Sequence, residues 1–213
     1  MSVAVIADIV GSRSLPDRAA AQRALDDTIE SVERDLPLAE RPLQSTVGDE
    51  LQGVYPSLAD AMASLLLLRL ALPEAVECRY GLGLGEIGEI PSRSGALAEG
   101  PGWWAARKAI EAVHAKQSRT IPGARTWVEA DVTAELSDRA VVSLANAYLL
   151  SRDQLVSAMS PRARRLAYGR LLGQTQRELA HAEGITQSAV SQALAAAGVG
   201  ALAEGFAQLR GGA

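Results

Sequence analysis

The 213 residues carry 21 Lys+Arg against 25 Asp+Glu, a net charge of −4, and only 4% aromatic residues. That length holds one large or two modest domains, and the abundance of Ala and Leu favours helical packing over an all-β sandwich. A single cysteine, Cys78, excludes an internal disulfide framework and fits a reducing cytoplasm.

The N-terminus has no basic region followed by an apolar stretch, so no secretory leader is expected. Residues 61–72 are the most apolar segment, but Arg69 interrupts them and they are too short to span a bilayer. The expectation is a cytoplasmic protein without membrane association.

In chain order, Val3 to Ala7 is an unbroken, β-branched apolar run, as in a strand buried on both faces. Asp8 stands at its carboxyl end, before the Gly11-Ser12 turn. Ala21, Leu25, Ile29, Val32 and Leu36 then mark one face of a helix from Asp17 to Leu36. Leu43 to Val47 and Leu51 to Tyr55 read as a hairpin turning through Gly48-Asp49-Glu50. Ser57 caps a helix that ends at Pro73, and its Leu65 to Leu68 run is apolar all round, predicting burial flat on a sheet.

Glu77 to Gly85 returns as a strand, with Gly81, Gly83 and Gly85 at alternate positions. Glycines on one strand face admit close approach of another backbone or of a ligand. Residues 90–99 read as a loop carrying Arg93. Pro101 opens a helix to Lys116 whose N-terminus suits an anion, with Arg107 and Lys108 in the following turns. Trp103 and Trp104 suit either base stacking or core anchoring. A last strand or hairpin lies within 119–130, and a helix over 133–150 closes the unit. The order strand–helix–hairpin–helix–strand–helix–strand predicts an α+β, ferredoxin-like or palm domain over residues 1–150.

Asp8 and Asp49 are carboxylates at the ends of apolar runs, with Gly11 three residues after the first and Gly48 directly before the second. Brought together at the rim of one sheet, they suit Mg²⁺, which takes one or two protein carboxylates plus water and substrate phosphates. The same spacing also suits Asp8 capping a turn with Ser12 and Asp49 as an ordinary hairpin aspartate. His114 and His181 have no second imidazole or thiol nearby in sequence, which argues against zinc.

Asp8-Ile9-Val10-Gly11 followed by Thr46-Val47-Gly48-Asp49 resembles the metal-binding pair of class III nucleotidyl cyclases. Arg79 to Gly85 resembles their later glycine-containing strand, and Gly100 to Arg107 their catalytic helix. The resemblance implies Mg²⁺ or Mn²⁺ on Asp8, Ile9 and Asp49. It also implies a nucleotide-type phosphate ligand near Val10, Gly11, Ser12, Gly48, Glu50, Trp103 and Arg107. Trp103 stands where those enzymes carry an asparagine, and Ser45 where they carry the lysine before Thr-x-Gly-Asp. A kept metal cradle with lost catalytic accessories, followed by a helix-turn-helix, is similar to the SatD family over most of the chain.

The tail differs in charge and pattern. Residues 1–150 hold 14 Lys+Arg and 21 Asp+Glu, whereas 151–213 hold 7 and 4. Ser160-Pro161 opens a helix bearing Arg162, Arg164, Arg165 and Arg170. Thr175 and Glu178 form a capping box, and Gly184 supplies a left-handed turn before a helix from Thr186 to Ala196. The expectation is an all-α helix-turn-helix domain over 151–213 that contacts DNA through residues 160–196. Arg164 and Arg165 would meet phosphates, and Thr175, Thr186, Gln187, Ser188, Ser191 and Gln192 would face the groove. The competing reading is a helical hairpin used for protein contact. Val199, Leu202, Phe206 and Leu209 form a last apolar stripe that must be buried, in its own domain or on a second copy; a homodimer is expected.

The functional expectation is a DNA-binding transcriptional regulator whose N-terminal domain senses a nucleotide with Mg²⁺ on Asp8 and Asp49. The alternative is an active nucleotidyl cyclase or nucleotide hydrolase controlled by its tail.

Overall fold

The computed structural model describes residues 1–46, 48–92 and 95–211. Val47 of the expected hairpin and Arg93 of the expected loop fall outside them. The elements are β1 (Val3–Ile9), α1 (Arg18–Asp35), β2 (Arg41–Ser45), β3 (Glu50–Tyr55), α2 (Leu58–Ala71) and β4 (Cys78–Leu84). There follow β5 (Gly88–Ser92), β6 (Gly95–Glu99), α3 (Pro101–Arg119), β7 (Thr126–Ala130) and α4 (Leu136–Ser157). The chain closes with α5 (Pro161–Leu171), α6 (Gln176–Glu183), α7 (Gln187–Ala196) and α8 (Val199–Leu209).

The main sheet runs β2-β3-β1-β4-β7, with β1 antiparallel to both β3 and β4 and only the β4–β7 pair parallel. Two crossovers, β1–α1–β2 and β3–α2–β4, interleave around β1, which is the ferredoxin-like arrangement. The α3 crossover adds β7 to that core. Residues 90–99, expected as a loop, instead fall largely within the small β5–β6 hairpin of Gly88–Ser92 and Gly95–Glu99. Their Gly, Pro and Ser content hid the alternation that marks a strand.

Each face of the sheet has its own helix layer. Val3, Val5, Ala7 and Ile9 of β1 face α1 and α2, while Ala4 and Ile6 face α3 in a second cluster with Val54, Trp103 and Ile110. The β4 glycines explain how α3 seats so closely. A Cβ on Gly81 would lie 2.4 Å from the carbonyl of Ala106, and one on Gly83 only 1.9 Å from that of Gly102. Of the two approaches the alternating glycines allow, the structure uses the backbone of α3.

Leu65, Leu66, Leu67 and Leu68 are all buried, each side chain contributing about 1.5–3 kcal/mol. They can be, because α2 is covered twice: the sheet lies on one side, α5 and α8 on the other. The tail helices therefore share one continuous core with the sheet. The boundary expected between residues 150 and 151 falls inside α4, which runs unbroken from Leu136 to Ser157. Val199, Leu202 and Phe206 are buried within this same chain, so the α8 stripe no longer calls for a second copy.

α4 also closes the edge of β7. The Asn146 side chain accepts from Val128 N at 2.8 Å and donates to Val128 O at 2.9 Å, standing in for a neighbouring strand. Among the described residues no single helix is long and apolar enough to cross a membrane; the bent pair α7–α8 meets the length and composition only jointly.

Candidate functional site

β1, β3 and β4 end together at one rim of the sheet, and their register aligns three ionised side chains. Asp8 stands opposite Glu50 on one side and Arg79 on the other. Two carboxylates directly across a strand pair repel, and each is met by an arginine. Arg79 donates Nε to Asp8 Oδ1 at 2.8 Å and Nη2 to Oδ2 at 2.9 Å. Its Nη1 donates to Gln117 Oε1 at 3.2 Å, which ties the pair to α3. Arg107 of α3 donates Nη1 and Nη2 to the two oxygens of Glu50, both at 2.6 Å. That bidentate hydrogen bond raises the Arg107 pKa further above its ordinary value.

Asp49 lies on the hairpin turn, beside the short helical turn at Ser12–Ser14. A hydrogen bond from the Ser12 hydroxyl, with Arg18 and Arg13 nearby, holds its carboxyl below the usual range. Gly11 begins that turn in the left-handed region, φ 66°, and its carbonyl accepts from Ser14 N at 2.8 Å. Asp8, Ile9, Gly11, Ser12, Asp49, Arg79 and His114 line one open cleft of about 620 Å³. Successive N–H groups after a left-handed glycine form a concavity suited to an anion.

Asp8 and Asp49 thus line a common cleft. Among the described residues, no three His, Cys, Asp or Glu side chains are grouped to hold an ion. The donor set suits Mg²⁺ arriving with phosphate, where water and phosphate oxygens supply most ligands. In that case the ion and Arg79 compete for Asp8. Glu50 and Arg107, both expected at a ligand, are spent on each other. Trp103, expected near a ligand, is buried against Ala4, Ile6 and Val54, because α3 lies flush on the glycines of β4; Trp104 is the exposed indole. The sequence reading missed Arg79, His114, Arg13 and Arg18 as cleft neighbours. Arg79 was findable only through the β1–β4 register.

The tail places its expected residues unevenly. Gln187, Ser188, Ser191 and Gln192 are exposed on α7. Thr175 and Thr186 are exposed, and their hydroxyls are engaged as N-caps of α6 and α7. The capping box with Glu178 is complete, and Gly184 ends α6 at φ 64°. Arg165 is exposed but held by Glu183, with both contacts at 2.7 Å. Arg164 departs from expectation: it is largely buried and points inward, its Nη2 3.8 Å from Glu77 Oε1. The residue next to it on α5 faces water, whereas this one faces the core seam with the sheet.

Glu77 joins the two regions. Its backbone carbonyl accepts from Val10 N at 2.8 Å, and its side chain accepts from Arg125 Nε at 3.0 Å. It therefore touches the cleft loop, the start of β7 and α5 at once.

A sequence-family comparison matches residues 2–203 to the SatD family. The chain belongs to the SatD family. No curated protein matches it. Solved structures similar to this SatD-family chain include the guanylyl cyclase Cya2, at 15% identity over 52% of this chain and 69% of that one, TM-score 0.41. Adenylate cyclases from Trypanosoma brucei match at 17% over 53% and 68%, TM-score 0.41. The guanylate cyclase domain of RhGC from Catenaria anguillulae, solved with GTP, matches at 18% over 52% and 72%, TM-score 0.39.

Proposed function

We propose that this SatD-family protein is a DNA-binding transcriptional regulator that responds to a phosphate-bearing nucleotide. The observation that carries the DNA reading is α7. It leaves α6 through the left-handed Gly184, Thr186 caps its N-terminus, and its first turns offer Gln187, Ser188, Ser191 and Gln192 to solvent. Neutral hydrogen-bonding side chains at the start of such a helix suit base edges in a major groove. Arg165, released from Glu183, supplies a phosphate contact, and two copies of the chain read two half-sites.

The nucleotide reading rests on the cleft that unites Asp8 and Asp49 with the Gly11–Ser14 turn. Phosphate would lie against the turn, and Asp8, Asp49 and the Ile9 carbonyl would hold Mg²⁺. When bound, the ion neutralises phosphate charge. Asp8 is held by Arg79 of β4, two residues from Glu77, so an ion that took up Asp8 would bear on Glu77 through Arg79. That is the physical route by which ligand binding reaches α5 and the DNA-reading helices.

Turnover is the competing reading, favoured by two aspartates in one cleft. The Glu50–Arg107 pair and the buried Trp103 count against it, because charge stabilisation of the transferring group needs free donors. Calorimetric titration of ATP, GTP and their cyclic forms with Mg²⁺, with chromatography of the recovered nucleotide, separates the two. Intact nucleotide recovered after saturable binding supports the regulator; a cyclised or hydrolysed product makes the protein an enzyme. Loss of binding in Asp8→Asn and Asp49→Asn is expected, and unchanged affinity in both removes the metal site.

A further inference from the structure

Apart from Met1 and Trp104, the exposed large apolar side chains among the described residues lie on α4 or just before it. Leu136 is 83% exposed, Leu144 73%, Val141 48%, and Val132, just before α4, 69%. The opposite side of α4 is committed to the fold: Ala145 and Leu149 are buried, and Asn146 and Asp153 bond β7. The outward arc is centred on Ala140 and Ala147, both exposed, and continues through Ser151. Among the described residues that arc carries no ionisable side chain over four turns. Arg139, at its border, turns back to donate to Val132 O at 3.3 Å. A solvent-facing helix normally presents charge there.

We infer that this face of α4 is the interface between two copies of the chain, packed as an antiparallel helix pair about a twofold axis near residue 142. Three observations select a second copy as the occupant. The patch spans on the order of 500 Å², within the range at which monomer patches are functional. Two copies bury about 1,000 Å² between them, the level a specific interface needs. It is neutral, so it offers nothing to a charged peptide, a nucleic acid or an anionic membrane.

It is also self-complementary. About that axis Leu144 of one copy rests on Ala140 of the other, and Leu136 rests on Ala147, so each large side chain meets a small one. An isologous contact requires this reciprocity. The inference deepens the two-copy reading above, and its test uses neither DNA nor nucleotide, so either can fail alone.

The test is sedimentation equilibrium of the full chain, of Leu144→Glu and of Ala147→Glu. Both sites are exposed, so circular dichroism should stay that of the parent. The parent should sediment at twice the monomer mass, and each variant should raise the dissociation constant by about a hundredfold or more, since each glutamate then buries an unpaired carboxylate against Ala140 or Leu136 of the other copy. In a second measurement, Ser143→Cys should be joined into a covalent dimer by a short bismaleimide. Cys78 cannot confuse this, being buried with its thiol pKa pushed up to about 12. A monomeric parent at tens of micromolar, or a dimer that survives both glutamates, overturns the inference. So does a Ser143→Cys protein that stays uncrosslinked while dimeric.

Discussion

Arg79 occupies both carboxylate oxygens of Asp8, at 2.8 and 2.9 Å, and Asp8 stands directly opposite Glu50. The guanidinium is therefore the countercharge of a carboxylate that lines the cleft. Arg79→Gln leaves two facing carboxylates with only Arg107 between them, at a cost of roughly 1–3 kcal/mol. The same change opens Asp8 to a cation. Thermal unfolding of Arg79→Gln should start below the parent and rise with millimolar Mg²⁺ by several degrees more than the parent does. An equal, small response in both proteins would show that Asp8 is not a cation ligand.

Glycine positions on β4 and α8 make a contrasting pair. In Gly83→Ala the new Cβ falls 1.9 Å from the Gly102 carbonyl and 2.4 Å from Ala106 N. α3 must then lift from the sheet, which costs about 3 kcal/mol or more. Gly200 in α8 has nothing within 4 Å of such a Cβ, so Gly200→Ala should stabilise by about 0.5–1 kcal/mol. Urea midpoints measure both. A Gly83→Ala loss under about 1 kcal/mol would mean that α3 is not seated on the strand.

How much of this was legible follows from the kind of signal each feature leaves. Periodicity and caps are local, and they place β1, α1, α2 and the α6–α7 pair correctly, because apolar spacing and side chains such as Ser57 and Thr175 act within a few residues. The cleft is only half local. Asp8 and Asp49 announce themselves near glycines, but the bonds between Asp8 and Arg79, and between Glu50 and Arg107, depend on strand register and on how α3 crosses. Trp103 and Trp104 are adjacent, and only the docking of α3 on Gly81 and Gly83 decides which is buried. The α8 stripe had two burial options, and the large apolar α2 supplied the nearer one. Arg164 and Arg165 looked alike in sequence; one helical step of about 100° sends them to opposite environments.

That split between neighbouring arginines gives a test on DNA. Arg165 is exposed and shares Glu183 with water-accessible partners, whereas Arg164 lies against Glu77. Arg165→Ala should weaken binding uniformly across sequences and flatten the slope of log affinity against log salt by about 1. Arg164→Ala should leave that slope alone and lower the thermal midpoint instead. Gln187→Ala with Ser191→Ala should reduce affinity for a selected operator more than for random DNA. Titrations across a salt series read all three, and identical slopes for the two arginine variants would contradict the assignment.

Asp153 of α4 ties α2 to the start of β7. It is fully buried, and its carboxylate accepts from Arg69 Nη1 at 2.6 Å, Arg152 Nη2 at 2.7 Å, and the N–H groups of Arg125 and Thr126 at 2.7 Å. Burial alone would raise its pKa, but Arg152, Arg69 and these hydrogen bonds outweigh that and hold it below the ordinary value. A depressed folded-state pKa means the unfolded chain binds its proton first as acid is added. The contribution is therefore complete above the unfolded pKa of about 3.9 and is lost as pH falls through the lower folded value. Stability should drop steeply below about pH 4. Asp153→Asn leaves two buried guanidiniums without a carboxylate and should cost about 3–5 kcal/mol at neutral pH. It should also remove that part of the acid loss. Urea midpoints of both proteins from neutral pH into the acid range decide it: a variant with the parent's acid slope would place the acid sensitivity on other carboxylates.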